Sequence, residues 1–186
     1  MTEKIEFDDT GNANNTPEGK IAREVASQYI AKKVGKPIKN IALRKEVEIM
    51  LRLTDEIDNM YDLANMCNRL NVSNENAHYV FMEIAEEIFQ EGINWGRIIV
   101  LYAFAGKLAQ HFKRTNNEQL VDKVGSWVGT AVSKKSMWVR DCGHGWTGFI
   151  QAFGESKGEN ENNWFQGMFA ATIGFGTLAA AMLIKS

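Results

Sequence analysis

The sequence predicts an all-α fold, and three observations carry that expectation. Apolar residues recur at three- and four-residue spacing, as in Ile49, Leu53 and Ile57 or Val80, Ile84 and Ile88, which puts them on one helix face. No stretch alternates apolar and polar residues between turn signals, as a half-buried strand would. The only prolines are Pro17 and Pro37, so nothing beyond residue 37 is broken by that residue.

The elements follow in order. Residues 1–15 are polar and carry Asn12, Asn14 and Asn15, so a disordered segment is expected. Thr16-Pro17 is a helix start, with threonine as cap and proline at the first position. That helix should run to about residue 34, closed by Gly35 and Pro37. Later breaks are expected at 71–74, 92–94, 115–117, 142–145 and in a linker over 154–163. Residues 98–106 carry no charge on any face, between Arg97 and Lys107, and predict the central helix of a bundle. A helix over 118–140 should lie antiparallel to it across a short loop. Residues 16–153 therefore read as one helical domain, and 186 residues at 45% hydrophobic content suffice for a substantial core.

The end of the chain reads differently. Residues 164–184 are 21 positions without a charge, followed only by Lys185 and Ser186. A helix of that length spans about 30 Å, the hydrocarbon thickness of a bilayer. Trp164 and Phe165 suit one interface and Lys185 the other, so a tail anchor is expected. The span also holds Gln166, Thr172, Thr177 and small residues four apart, such as Gly167/Ala171 and Gly176/Ala180. An apolar helix packed into a groove of its own domain is the alternative, and the two states are compatible if the tail moves.

Charge and cysteines exclude other classes. A net charge of −2 leaves no basic footprint for nucleic acid. Cys67 and Cys142 lack framework spacing and no secretory signal opens the chain, so two reduced thiols in a cytosolic domain are expected. On the same ground the glycosylation patterns at Asn14 and Asn71 are read as chance. Gly143-His144-Gly145-Trp146-Thr147-Gly148 spells a dinucleotide fingerprint, but helical sequence precedes it, so a loop between two helices is expected. Cys142 and His144 lack an orienting group and an oxyanion site, and His78, His111 and His144 lack metal-ligand spacing. No enzyme, cofactor or metal is expected.

Two motifs remain. In Asn94-Trp95-Gly96-Arg97, Asn94 can cap the central helix, Gly96 lets another helix approach, and Arg97 can pair bidentately with a carboxylate. A surface arginine beside a structural tryptophan accounts for it equally well. Met50, Leu53 and Ile57 fall at i, i+3 and i+7 with Asp55 beside them, a stripe that an amphipathic helix lays into a hydrophobic groove. At rest that stripe is expected to pack inside its own bundle.

These residues resemble the Bcl-2 family of apoptosis regulators over nearly the whole chain. Ile93-Asn94-Trp95-Gly96-Arg97-Ile98-Ile99 is similar to the first homology region, and the stretch from Trp138 to Trp146 to the second, where the family usually has adjacent glycines and His144 here separates Gly143 from Gly145. Met50-Leu51-Arg52-Leu53-Thr54-Asp55-Glu56-Ile57 resembles the third, the death-ligand helix, and the stretch from Arg23 to Ile30 the fourth. The third departs from pattern twice. Thr54 replaces a small residue before the aspartate, and Glu46 occupies the leading apolar position.

The resemblance implies a bundle around a central hydrophobic hairpin, with a groove that receives death-ligand helices. Carried over by position, the groove comprises Ile84, Ile88, Asn94, Trp95, Gly96, Arg97 and Phe104, and the ligand helix Met50, Leu53, Thr54, Asp55 and Ile57. Arg97 is expected to pair with the aspartate of a bound helix. Both executioners and guardians share the fold. Residues 80–89 and 101–105 look more like the Bax, Bak and Bok side, whereas 23–34 reads like a pro-survival fourth region. The expected function is thus a pro-apoptotic effector that homo-oligomerises and permeabilises the mitochondrial outer membrane, the alternative a guardian that sequesters ligand helices. Expected partners are death-ligand-helix proteins, other family members, a second copy and membrane lipid. The expected location is the cytoplasm and mitochondrial outer membrane, with the endoplasmic reticulum as alternative.

Overall fold

A computed structural model describes residues 15–60, 62–70 and 72–155. The expected disordered segment (save Asn15), the linker beyond Glu155 and the tail over 164–184 lie outside the described residues. Among the described residues all regular structure is helical: α1 (Pro17–Lys33), a 3-10 turn (Ile41–Leu43), α2 (Arg44–Met60), α3 (Leu63–Arg69), α4 (Ala77–Phe89), α5 (Trp95–Arg114), α6 (Glu118–Ser133), α7 (Ser136–Asp141) and α8 (Gly145–Phe153). No helix among them is long and apolar enough to cross a membrane.

The start of α1 follows the Thr16-Pro17 signal. The Thr16 hydroxyl accepts from the Gly19 N–H at 3.0 Å, and Gly35, at φ +87°, ends the helix in the left-handed region. Side chains from α5 satisfy the last carbonyls of α1: Lys113 donates to Val34 at 2.6 Å and Gln110 to Lys33 at 3.1 Å.

The bundle is built around α5. Every residue from Ile98 to Ala105 is buried, as a helix apolar on all sides requires. The other helices supply the surrounding layer, α6 folding back on α5 across a three-residue turn. The most extensive helix pair is α1 on α6, and glycines set its closeness. A Cβ on Gly129 would lie 2.8 Å from the Arg23 Cα, and one on Gly125 3.3 Å from the Ser27 Cα. Both exceed or strain van der Waals contact with backbone, which cannot rotate away. Gly129→Val is expected to lower the unfolding free energy by about 2 kcal/mol, read from the urea midpoint.

Three elements differ from the sequence expectation. The helix expected over 118–140 is two, broken at Lys134-Lys135. The Ser133 hydroxyl bonds back to the Thr130 carbonyl at 3.0 Å, and the Lys135 N–H turns to Val132 at 2.9 Å. The break lets Trp138 on α7 meet Trp95 at a centroid distance of 5.7 Å. The second difference is the gap between α2 and α3, where the Asp62 carboxylate caps α3 by accepting from Asn65 at 3.1 Å. The third is the Gly143–Gly148 stretch. Cys142, Gly143 and His144 connect α7 to α8, and Trp146, Thr147 and Gly148 are helical. His144 at φ 55° and Gly145 at φ 68° take up the left-handed turn that leads into α8.

Candidate functional site

The segment resembling a death-ligand helix is α2, and it is packed into its own bundle. Met50, Leu53, Thr54 and Ile57 are fully buried, facing α5 and α1. Thr54 keeps its hydroxyl satisfied by donating to the Leu51 carbonyl at 3.0 Å. Glu46, at the leading apolar position, is buried as well, and its Oε2 has no hydrogen-bond partner.

The acidic edge of α2 is tied down by two lysines. Lys33, at the end of α1, donates to Asp55 at 2.8 Å and to Asp58 at 3.2 Å. Lys107, from α5, reaches Asp58 at 3.1 Å. The two carboxylates sit in different surroundings: the Asp55 side chain is 65% exposed and that of Asp58 11%. Asp58 is therefore the anchoring carboxylate and Asp55 the presented one. Sequence reasoning identified Asp55 and missed Asp58, although three-residue spacing on a helix was the available signal. Arg52, also on α2, donates to the Phe153 carbonyl at the end of α8. On α3, burial pushes the Cys67 thiol up to about 12, partly opposed by Lys107; Cys142 is exposed, and both thiols are free.

The second half of the site is the start of α5. Asn94 caps it as expected, its side-chain oxygen accepting from the Arg97 N–H at 2.9 Å. The Arg97 side chain is only 9% exposed. Its guanidinium donates to the Gly92 carbonyl at 2.8 Å and to the Glu91 carboxylate at 2.9 Å. Glu91 itself is 69% exposed, so the cation is buried while one of its counter-charges stands in water. Neither Glu91 nor this closed ring of bonds was read from the sequence.

Trp95 and Gly96 are buried beside Arg97. Trp95 is the hub of an aromatic cluster, 5.3 Å from Trp146 and 4.9 Å from Phe149, and its indole N–H donates to the Gly143 carbonyl at 3.3 Å. The cluster fixes α7 and α8 against the first turn of α5. The remaining groove positions, Ile84 and Ile88 on α4 and Phe104 on α5, are also buried, with Phe104 stacked on Phe81 at 5.9 Å. The structure thus gathers the expected receptor residues on α4 and α5, and the expected ligand residues on α2, into one core. A cavity of about 190 Å³ lies elsewhere, between α1, the α1–α2 connection and α6.

Comparison with known proteins gives these positions a context. A family described as "Apoptosis regulator proteins, Bcl-2 family" matches residues 50–146, from within α2 to the start of α8. The chain is 31% identical over 105 residues to the apoptosis regulator Bcl-2 of Gallus gallus, covering 55% of this chain and 45% of that one. It is 28% identical over 130 residues to Bcl-2-like protein 1 of Homo sapiens, covering 64% and 55%. It is 27% identical over 139 residues to the apoptosis regulator BAX of Mus musculus, covering 74% and 71%. The chain spans about half the length of the Bcl-2 and Bcl-2-like relatives. A crystal structure of Trichoplax adhaerens trBcl-2L2 bound to trBak BH3 superposes with a TM-score of 0.66 at 28% identity, covering 73% of this chain and 99% of that one.

Proposed function

Because the chain belongs to the Bcl-2 family of apoptosis regulators, we propose that it receives death-ligand helices beside Arg97 and acts as an executioner. One observation carries the executioner reading: α2 is stored whole, its apolar stripe inward and Asp55 outward. An activating helix that binds the open form better shifts the chain toward it, by its differential affinity for the two forms. The freed α2 then offers Met50, Leu53 and Ile57 to the groove of a second copy, with Asp55 meeting that copy's Arg97. The dimers so formed cluster and permeabilise the mitochondrial outer membrane. The segment over 164–184 anchors the chain there, with the preceding domain in the cytoplasm; the endoplasmic reticulum is the alternative membrane.

The experiment is dye release from liposomes of mitochondrial composition, with the full chain and an activating helix peptide. Release is expected for the wild type and none for Asp55→Arg, which sets like charge against Arg97. Release undiminished by that substitution removes the executioner mechanism.

A guardian, which holds a partner's helix and makes no pore, is the second reading. It is favoured by Thr54, fully buried where the resemblance implies a smaller residue, and by the buried, unbonded Oε2 of Glu46, both of which make α2 a poorer guest elsewhere. The neighbouring trBcl-2L2 structure, with a BH3 segment bound, fits either reading. Tight peptide binding without dye release selects the guardian. Absence of both rejects the receptor.

Either way, an incoming aspartate competes with Glu91 for the same guanidinium. Glu91→Gln is expected to tighten binding of a ligand-helix peptide about threefold, measured by calorimetric titration.

A further inference from the structure

The connection from α1 to α2 has a charge pattern that the groove does not use. Residues 25–45 hold six cations (Lys32, Lys33, Lys36, Lys39, Arg44 and Lys45) and no carboxylate, in a chain whose net charge is −2. Lys33 is taken up by Asp55 and Asp58, and Lys36 by Asp122 at 3.2 Å. Lys32, Lys39, Arg44 and Lys45 are exposed, and among the described residues none is in an ion pair. Glu48, one turn on from Arg44, leaves it unpaired, and Glu24 accepts from Gln28 at 2.9 Å instead. Amid these cations the chain presents Ile41, 73% exposed.

The presentation is fixed rather than slack. Gln28, itself buried on α1, accepts from the Lys39 N–H at 2.6 Å, and the Asn40 side chain accepts from the Ala42 N–H at 3.1 Å. The 3-10 turn is thereby held on the flank of α1 with Ile41 facing out. Lys32 is one turn from Gln28 on the same helix face. A single exposed isoleucine is unremarkable, but one held on a short capped turn between Lys39, Arg44 and Lys45 matches a surface both negative and oily a few ångströms down.

We propose that this turn docks on an anionic lipid bilayer, with Lys32, Lys39, Arg44 and Lys45 over the headgroups and Ile41 dipped among the acyl chains. Short-range charge attraction supplies selectivity for anionic lipid, and the isoleucine supplies depth. The surface lies on the α1–α2 connection and needs neither the groove nor the segment beyond residue 155. It would orient the chain on a membrane whether or not that segment is inserted.

The test is co-sedimentation of the full chain with phosphatidylcholine vesicles, with and without phosphatidylserine, at low and high salt. The serine lipid is expected to increase binding, and high salt to cancel the increase. Lys39→Glu, Arg44→Glu and Lys45→Glu together should weaken binding to the anionic vesicles about a hundredfold and leave binding to the neutral ones unchanged. Ile41→Ser should weaken it about tenfold. All four positions are exposed, and thermal melts establish that the variants remain folded. Equal binding to both vesicle types, or unchanged binding by the triple variant, overturns the proposal. So does an oligonucleotide that binds as tightly as the anionic vesicles and displaces the chain from them.

Discussion

Asp58→Ala is expected to lower the unfolding free energy by about 3 kcal/mol, the larger of the two carboxylate effects on α2. The reason is burial. Asp58 is 11% exposed and faces Lys33, 7% exposed, together with Lys107. Removing the carboxylate leaves two ammonium groups from α1 and α5 facing one another across a largely dry space. Lys33 retains Asp55, but that partner stands in water and compensates little. Asp55→Ala should accordingly cost less than about 1 kcal/mol. Urea unfolding followed by circular dichroism measures both. Equal losses would mean that the anchoring role of Asp58 is wrong. One oxygen of Asp58 is buried without a hydrogen bond, which holds the expected loss toward the lower end for a buried pair.

Arg97→Glu should weaken binding of a ligand-helix peptide by more than about a hundredfold. The guanidinium now gives donors to a carbonyl and a carboxylate. A glutamate there would bring only acceptors toward Gly92 and Glu91, and would repel the aspartate of any guest. Arg97→Lys keeps the charge but loses the planar fork, and a loss of about tenfold is expected. Titration calorimetry reads both, with melting curves as the control for folding. In the glutamate variant, changing the peptide's aspartate to asparagine should make little further difference, because the pair it belonged to is gone. A large additional loss would mean that the peptide's carboxylate is recognised elsewhere.

Much of this molecule is legible in its sequence where the signal is local. Thr16-Pro17 starts α1, Asn94 caps α5, and the uncharged run from Ile98 to Gly106 lies at the centre of the core. Each follows from chemistry within a few residues. The break at Lys134-Lys135 does not, because neither lysine disfavours a helix; it accompanies the contact of Trp138 with Trp95, from a distant part of the chain. The state of Arg97 was hidden for a similar reason. Its partner Glu91 lies six residues back, beyond a glycine at φ +110° that doubles the backbone on itself. Residue type announced a carboxylate receptor, and only the coordinates identify the carboxylate already there. Asp58 fell between these cases, since its spacing was plain but its depth was set by α1 and α5 together.

The indole cluster has an optical consequence. Trp138 and Trp146 each lie within 6 Å of Trp95, whereas Trp127 stands beside Phe81 and His78. Separation of α7 or α8 from the first turn of α5 would therefore alter near-ultraviolet dichroism and energy transfer among the three. Departure of α2, which contributes no indole and touches the cluster only through α8, would change those signals less. Two kinds of opening that a melting curve merges into one are thus spectroscopically separable in the unlabelled protein.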